Sequence, residues 1–300
     1  MNYLITIVGP TGIGKTRLSI ALAQYFNCEI ISCDSRQFYK EMKIGTAVPN
    51  EVELKTVPHH FIQNKSIHDN YNVGQFEKEA LQTLNSLFSK KNKAVMVGGS
   101  GLYVNAVIDG LDEFPDAHPE IRKNLNLQLK NKGLESLQNQ LKELDLETYQ
   151  TIELQNPHRV IRALEICIET GSKYSTFKNK PKEERNFVPI LIGIDADRIT
   201  IYKRIEERVD EMMKQGLLEE ARNLHAFAHL NALQTLGYRE LFDYFEGKYS
   251  LDFAISEIKK NSRRFAKRQN TWFKKNNEIQ WFDFQTPLEE IINYIDQKID

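Results

Sequence analysis

The segment from Tyr3 to Phe26 reads YLITIVGPTGIGKTRLSIALAQYF, and it decides the fold of the 300-residue chain. The apolar run from Tyr3 to Val8 predicts a strand, because β-branched residues suit a buried pleated surface. The stretch from Arg17 to Phe26 has apolar residues at helical spacing and predicts a helix. The glycine-rich residues between them therefore form the loop of a predicted strand–loop–helix unit.

That loop matches the phosphate-binding pattern G-x-x-x-x-G-K-[ST] without a mismatch. Glycines let the backbone curl so that several N–H groups point at one polyphosphate, at the positive end of the following helix. Lys15 adds a charge, and the Thr16 hydroxyl can bind Mg²⁺, the expected metal. A nucleoside triphosphate is the usual ligand of such a loop, but a diphosphate ester offers the same anionic head. The predicted phosphate-binding residues are Gly9, Pro10, Thr11, Gly12, Ile13, Gly14, Lys15 and Thr16.

Further apolar runs alternate with helical patterns along the chain. Residues 28–33, 94–97 and 189–194 predict strands, and residues 75–88 predict a helix between the first two. This alternation predicts the α/β class, with a P-loop NTPase-like parallel sheet flanked by helices. The part after Asp197 is predicted to be rich in helices, with a closing strand near residues 278–284.

After Leu111 the sequence becomes polar and helical, with a break at Lys132-Gly133. We expect a helical insertion domain at residues 113–155. It would interrupt a core made of residues 1–112 and 156–300.

The composition predicts a soluble globular chain. There are 40 basic and 41 acidic residues, and the three cysteines form no CxxC pair. The N-terminal apolar run is too short for a signal peptide, and no run approaches the ~20 apolar residues of a membrane span. These features predict a cytoplasmic protein with no membrane partner. Residues 259–275 hold eight Lys or Arg and no acid, so a polyanion could bind there.

Asp34 follows the second predicted strand, at the sheet edge where the first strand delivers the phosphate loop. A helix cap is one interpretation; a catalytic or metal-associated carboxylate is the interpretation favoured by the adjacent loop. The third strand ends at Val97-Gly98-Gly99, without the acid of a Walker-B strand, which disfavours a plain ATPase.

Six blocks then identify a family resemblance. In order, they are GPTGIGKT, SCDSRQFYKEMKIGTAVP, VGGSGLYVNAVIDGL, NPHRVIRALEI, TLGYRELFDYFEG and KRQNTWF. Together they resemble the tRNA dimethylallyltransferases, or tRNA isopentenyltransferases, of the bacterial type. The resemblance implies that the phosphate loop holds dimethylallyl diphosphate. It also implies transfer of the dimethylallyl group to the exocyclic N6 amine of the adenosine 3′-adjacent to the anticodon, giving N6-isopentenyladenosine and releasing diphosphate.

The resemblance also implies residue roles. Asp34 matches the general base that takes the amine proton, a role that fits a carboxylate. Arg208 matches a further diphosphate-binding arginine, four residues after Arg204 on one helix face. Ser100 stands where many members of the family have Thr, and it keeps the hydroxyl. The predicted catalytic residues are Asp34, Ser100 and Arg208.

The implied partner is the tRNA anticodon stem-loop, bound by a monomer through a channel that RNA and diphosphate enter from opposite ends. The residues predicted to contact tRNA are Asp34, Ser35, Arg36, Gln37, Ser100, Arg122, His158, Arg159, Arg162, Gly237, Tyr238, Arg239, Lys267, Arg268, Gln269, Trp272 and Lys274.

Two other function classes share parts of this pattern. A small-molecule kinase has the same phosphate loop and parallel sheet, but it does not account for the DSRQFY block or the basic C-terminal helix. An RNA-binding module without catalytic activity would share the affinity for tRNA, and it would not need Asp34 as a base.

Overall fold

A computed structural model of the chain describes residues 1–178 and 183–299. Its centre is a six-stranded sheet in the order β3-β2-β4-β1-β5-β6, in which every pair of neighbours is parallel. This confirms the predicted fold class. The strands are β1 (Tyr3–Val8), β2 (Ile30–Ser32), β3 (His59–His60), β4 (Lys93–Val97), β5 (Val188–Asp195) and β6 (Gln280–Asp283).

Twelve α-helices lie within the described ranges. They are α1 (Lys15–Tyr25), α2 (Glu51–Thr56), α3 (Val73–Phe88), α4 (Gly101–Ile108), α5 (Pro119–Leu144), α6 (Leu146–Thr151), α7 (Pro157–Thr170), α8 (Arg198–Lys214), α9 (Leu217–Leu224), α10 (Tyr238–Phe245), α11 (Leu251–Phe273) and α12 (Leu288–Ile299). None of these helices is long and apolar enough to cross a membrane.

Strand β1 lies in the middle of the sheet, between β4 and β5, and both of its faces are covered. Its side chains alternate between two clusters: Ile5 and Ile7 pack in one, and Leu4 and Val8 in the other. The first cluster includes residues from α1, α8 and α12, and the second includes residues from α3 and α4. Because all strands are parallel, their carboxyl ends meet at one edge, where the phosphate loop also begins.

The chain divides into two compact units, Met1–Asp109 with Arg185–Asp300, and Gly110–Glu184. The second unit therefore extends further than the predicted insertion at 113–155. It includes α7, which packs against α5 through residues such as Leu141 and Leu164. Sequence periodicity shows that α7 has an apolar face, but it does not show which helix covers that face. The predicted break at Lys132-Gly133 corresponds to a kink at Gly133, where φ is 76°.

We expect Phe76→Ala to destabilise the protein by about 3–5 kcal/mol, because a fully buried aromatic side chain leaves a cavity. Phe76 has no exposed area and stacks on Phe38 at a centroid distance of 5.3 Å. The matched control is Phe253→Ala, since Phe253 is 48% exposed and should cost less than about 1 kcal/mol. Equilibrium unfolding in urea measures both, and equal losses would contradict the placement of Phe76 in the core.

Candidate active site

The phosphate loop starts with a close backbone approach at Gly9. Its φ is 143°, and a Cβ atom there would lie 2.3 Å from the carbonyl oxygen of Ile194 in the neighbouring strand β5. Only glycine fits this position. The loop then curls and ends at Gly14, the N-cap of α1, so that the amide end of the helix faces the loop.

Lys15 is the first residue of α1 and lies half-buried in this loop. Its Nζ donates to the carbonyl oxygen of Pro10 at 2.8 Å. Burial lowers the pKa of Lys15 to about 8; the negative charge of Asp34 opposes this shift, and the positive charge of Arg208 adds to it. The charges of Asp34 and Arg208 therefore both act on Lys15.

Two cavities meet at this edge of the sheet. The smaller one, about 410 Å³, is lined by the phosphate loop together with Lys15, Thr16, Arg204 and Arg208. The larger one, about 510 Å³, has many apolar lining residues from α8 and α11. Five residues line both cavities: Thr11, Asp34, Arg208, Phe265 and Gln269. Asp34 and Arg208 are thus at the junction of the two cavities.

Asp34 lies half-buried just after β2. Its Oδ1 accepts the backbone N–H of Arg36 at 3.1 Å, which fixes the start of the DSRQ loop. Ser100 holds the same loop from the other side. Its Oγ accepts the backbone N–H of Ser35 and contacts the Ser35 hydroxyl, both at 3.1 Å. Ser100 therefore acts on the position of Asp34 through Ser35.

The two arginines predicted to share one face of α8 both line the smaller cavity. Arg204 donates from Nε to the carbonyl oxygen of Gly12 at 2.8 Å, so it anchors the phosphate loop itself. Arg208 is half-buried. Desolvation lowers its pKa, and the charge of Asp34 opposes that shift. An anion bound in this cavity would supply negative charge to balance the positive charges of Arg204 and Arg208.

Several predicted RNA contacts on α11 are exposed. Lys267, Arg268 and Trp272 present their side chains to solvent, and the Arg268 guanidinium lies 5.7 Å from the centre of the Phe265 ring. Lys274 is also exposed, although its Nζ forms an ion pair with Asp195 at 2.7 Å.

Other predicted RNA contacts are engaged inside the protein. Tyr238 has no exposed area, and its hydroxyl donates to Glu220 at 2.7 Å. Gly237 is buried as well, whereas Arg239 is exposed. Gln269 is only 7% exposed. Both polar atoms of its amide bind backbone groups of the site.

The side chains of Arg36 and Gln37 also bind backbone. Arg36 donates to the carbonyl oxygens of Asn231 and Ala232 at 3.1 and 3.0 Å. The Gln37 amide donates to the carbonyl oxygens of Thr46 and Ala47 at 3.2 and 3.0 Å. These bonds hold the DSRQ loop rigid.

The second unit contains the remaining predicted RNA contacts. Glu165 is 3% exposed at its side chain, and it pairs with Arg122 at 2.7 Å and with Arg162 at 3.5 Å. Arg159 is exposed and forms an ion pair with Glu153 at 3.3 Å, and His158 is exposed. These four residues therefore lie within one unit, and the three arginines among them have acidic partners.

Sequence reasoning missed Asp195, which ends strand β5 beside the phosphate-loop strand. Its Oδ2 contacts Lys274, and its Oδ1 accepts from the Asn270 amide at 2.9 Å. The signal was present in the sequence, since the apolar run at 189–194 ends in this acid. Its partners occupy both carboxylate oxygens, which leaves it poorly placed to act as a Walker-B acid.

The chain is similar in sequence to known proteins over nearly its whole length. A family model described as IPP transferase matches residues 37–276. The chain is 59% identical to the tRNA dimethylallyltransferase of Flavobacterium johnsoniae, over 98% of this chain and 97% of the relative. The chain belongs to this family. The resemblance inferred from the six sequence blocks is confirmed, and a further family member, tRNA dimethylallyltransferase 1 of Bacteroides fragilis, is 46% identical over 99% of this chain and 98% of its own length.

Solved structures of the family share the fold. The full-length tRNA isopentenylpyrophosphate transferase of Bacillus halodurans has a TM-score of 0.74 and 36% identity, over 99% of this chain and 97% of its own. A eukaryotic dimethylallyltransferase described as acting on tRNA has a TM-score of 0.80 and 25% identity, over 95% of this chain and 75% of its own.

Diphosphate affinity should fall as pH rises through about 8. The protonated Lys15 binds an anion better than the neutral form, and each pH unit above its pKa leaves about tenfold less of the protonated form. We expect affinity for inorganic diphosphate, measured by calorimetry at pH 7, 8 and 9, to drop by up to about tenfold relative to Lys15→Arg. The arginine variant keeps its charge and reports the titration of diphosphate alone. Parallel profiles for the two proteins would contradict the assignment.

Proposed function

We propose that the protein transfers the dimethylallyl group from dimethylallyl diphosphate to the N6 amine of the adenosine 3′-adjacent to the anticodon of tRNA. The single observation that carries this proposal is that Asp34 and Arg208 line both cavities. A diphosphate in the smaller cavity and an adenine in the larger one would place the reacting carbon at their junction. Family membership supports the same reaction.

The leaving diphosphate needs fixed positive groups, because its charge grows as the carbon–oxygen bond breaks. Lys15, Arg208 and the backbone N–H groups at the start of α1 supply them. Their partial burial strengthens each interaction relative to water. The Thr11 N–H is an exception to the predicted donor set, since it already donates to Gln269 at 2.9 Å.

Mg²⁺ is the proposed cofactor. Among residues 1–178 and 183–299 no group of three His, Cys, Asp or Glu could hold a metal by itself. The donor present at the loop is the Thr16 hydroxyl. A single protein oxygen fits Mg²⁺, which commonly takes one or two protein oxygens and completes its shell with substrate phosphates and water. When bound, the ion would neutralise charge on the diphosphate.

Asp34 would accept the amine proton. An adenine amine is a weak nucleophile, and a positioned base contributes roughly 10²- to 10⁴-fold. In the proposed displacement, the nitrogen forms a bond to the allylic carbon as the carbon–oxygen bond breaks, and that electron pair leaves with diphosphate. The proton goes to the Asp34 carboxylate, which Ser100 and Arg36 hold in place.

Delivering an adenine to the larger cavity requires taking it out of its stack in the RNA loop. Aromatic side chains of that cavity, Tyr103, Phe265 and Trp272, could stack on the base, and Arg268 lies among them. The anticodon stem-loop is the proposed partner, with the exposed cations of α11 binding its phosphates.

The proposed enzyme is a monomer, because residues of a single chain are sufficient to line both cavities. The three cysteines are buried and unpaired, which supports a reducing, cytoplasmic setting.

Labelled dimethylallyl diphosphate and unmodified tRNA test the proposal directly, with a nucleoside digest to locate the label. The kinase alternative predicts transfer of phosphate from ATP and no prenylated nucleoside. The arrangement around Asp195 favours the transferase, since the acid that could serve as a Walker-B residue is bound to Lys274 and Asn270.

Asp34→Asn should lower turnover by roughly 10²- to 10⁴-fold while tRNA affinity changes by less than about threefold. The amide is isosteric and keeps the oxygen that accepts from Arg36, but it does not take a proton. The control is Asp252→Asn, an exposed carboxylate at the start of α11. Single-turnover transfer and a tRNA binding titration measure the two effects. Equal losses in both would indicate a positional role, as in the RNA-binding module without catalysis.

Arg268→Ala should weaken tRNA binding and make its salt dependence shallower by about one unit of slope, because one phosphate contact is lost. Affinity for inorganic diphosphate should stay unchanged. Lys90→Ala is the control, since Lys90 is exposed just before β4, at the amino-terminal edge of the sheet. Titrations at several salt concentrations give the slopes, and a slope equal to that of the wild type would remove Arg268 from the RNA interface.

A further inference from the structure

Gln269 has an unusual position for a residue in the basic stretch of α11. It is 7% exposed, between the exposed Lys267 and Arg268 on one side and the exposed Trp272 on the other. Its Oε1 accepts the backbone N–H of Thr11 in the phosphate loop at 2.9 Å. Its Nε2 donates to the carbonyl oxygen of Gly99 at 2.9 Å. The amide thus bridges two loops that are distant in sequence.

We propose that Gln269 is a positioning residue that holds the phosphate loop and the Gly99-Ser100 turn at a fixed separation, and that it does not contact RNA. Both ends of the amide are already hydrogen-bonded to backbone, and a buried amide that gave up either bond would leave a polar group unsatisfied. Contact with RNA would require breaking at least one of them.

The turn at Gly99 is shaped to receive this amide. A Cβ atom at Gly99 would lie 2.1 Å from Nε2 of Gln269, well inside contact distance. The φ of Gly99 lies outside the left-handed region, so the backbone itself would accept alanine. Gly99 therefore leaves the space that the amide occupies, and a Cβ atom there would push the end of the Gln269 side chain away.

The bridge connects the two halves of the proposed reaction, and in this respect the inference rests on the proposed function. On one side, Thr11 belongs to the loop that would hold the leaving diphosphate. On the other, Gly99 precedes Ser100, whose hydroxyl binds Ser35 next to Asp34. This side chain thereby helps to fix the distance between the anion site and the base, and a misplacement of about 1 Å can cost about 10²-fold in rate.

Two variants break this bridge in different ways. Gln269→Leu removes both hydrogen bonds at similar side-chain size. Gly99→Ala displaces the amide and leaves every side chain of α11 unchanged. For both, we expect affinity for inorganic diphosphate, measured by calorimetry on the full chain without RNA, to fall about 5- to 30-fold. Affinity for tRNA without diphosphate should stay within about twofold of the wild type.

Lys267→Ala, an exposed neighbour on the same helix, should show the opposite pattern: weaker tRNA binding and unchanged diphosphate affinity. In steady-state transfer, the two bridge variants should raise KM for dimethylallyl diphosphate and lower kcat, with KM for tRNA unchanged. A double variant should lose little more than the larger single loss, because both changes remove the same contact.

Reduced tRNA affinity with normal diphosphate affinity in Gln269→Leu would overturn the proposal, and so would wild-type diphosphate affinity in Gly99→Ala. Thermal unfolding checks that each variant is folded. If Gln269→Leu does not fold, Gly99→Ala alone tests the proposal. If the wild type does not transfer a prenyl group, the proposed function is wrong. The inference about Gln269 is then still tested, because the diphosphate titrations do not depend on prenyl transfer.

Discussion

The site depends on the electrostatic balance among Lys15, Asp34 and Arg208, three half-buried charges at one edge of the parallel sheet. Burial lowers the pKa of both cations, and the Asp34 carboxylate only partly opposes that effect. The smaller cavity is lined by three cations, Lys15, Arg204 and Arg208, and by two carboxylates, Asp34 and Glu207, so a net positive charge remains in a partly desolvated cavity. A bound diphosphate would relieve this imbalance, and the Asp34 carboxylate would stay beside it as a base. The same arrangement thus favours anion binding and proton acceptance at adjacent points.

Other contacts in the first unit fix the positions of these three charged side chains. The close approach of Gly9 to Ile194 begins the phosphate loop, and Arg204 and Gln269 bind its backbone from α8 and α11. Glu220 fixes residues 43–45 in a similar way, because its carboxylate accepts hydrogen bonds from three backbone N–H groups and from the Tyr238 hydroxyl. Buried polar groups that are fully hydrogen-bonded in this way make a loop rigid, because moving it would leave several of them unsatisfied at once.

Phosphate loops on parallel sheets serve several chemistries, so the fold alone does not choose one. In this chain the choice is made by what lies beside the loop. The acid that ends β5 is neutralised by Lys274, and the carboxylate that lines both cavities comes from a different strand. An exposed basic helix lies against the larger cavity. These features suit a transfer between a diphosphate ester and a nucleic-acid base better than hydrolysis of a nucleotide.

The sequence by itself determined the parallel sheet, the phosphate loop, the placement of Asp34 at the strand edge and the family, because each follows from local patterns or from ordered blocks. Strand β1 was predicted with the bounds that the structure gives, since its apolar run is long and ends in glycine. Only the tertiary structure decided that Tyr238 and Gln269 point inward, that Asp195 is paired and that α7 packs on α5. Those outcomes depend on side chains up to 258 positions apart in the chain, as between Thr11 and Gln269, and hydrophobic periodicity carries no information about such partners.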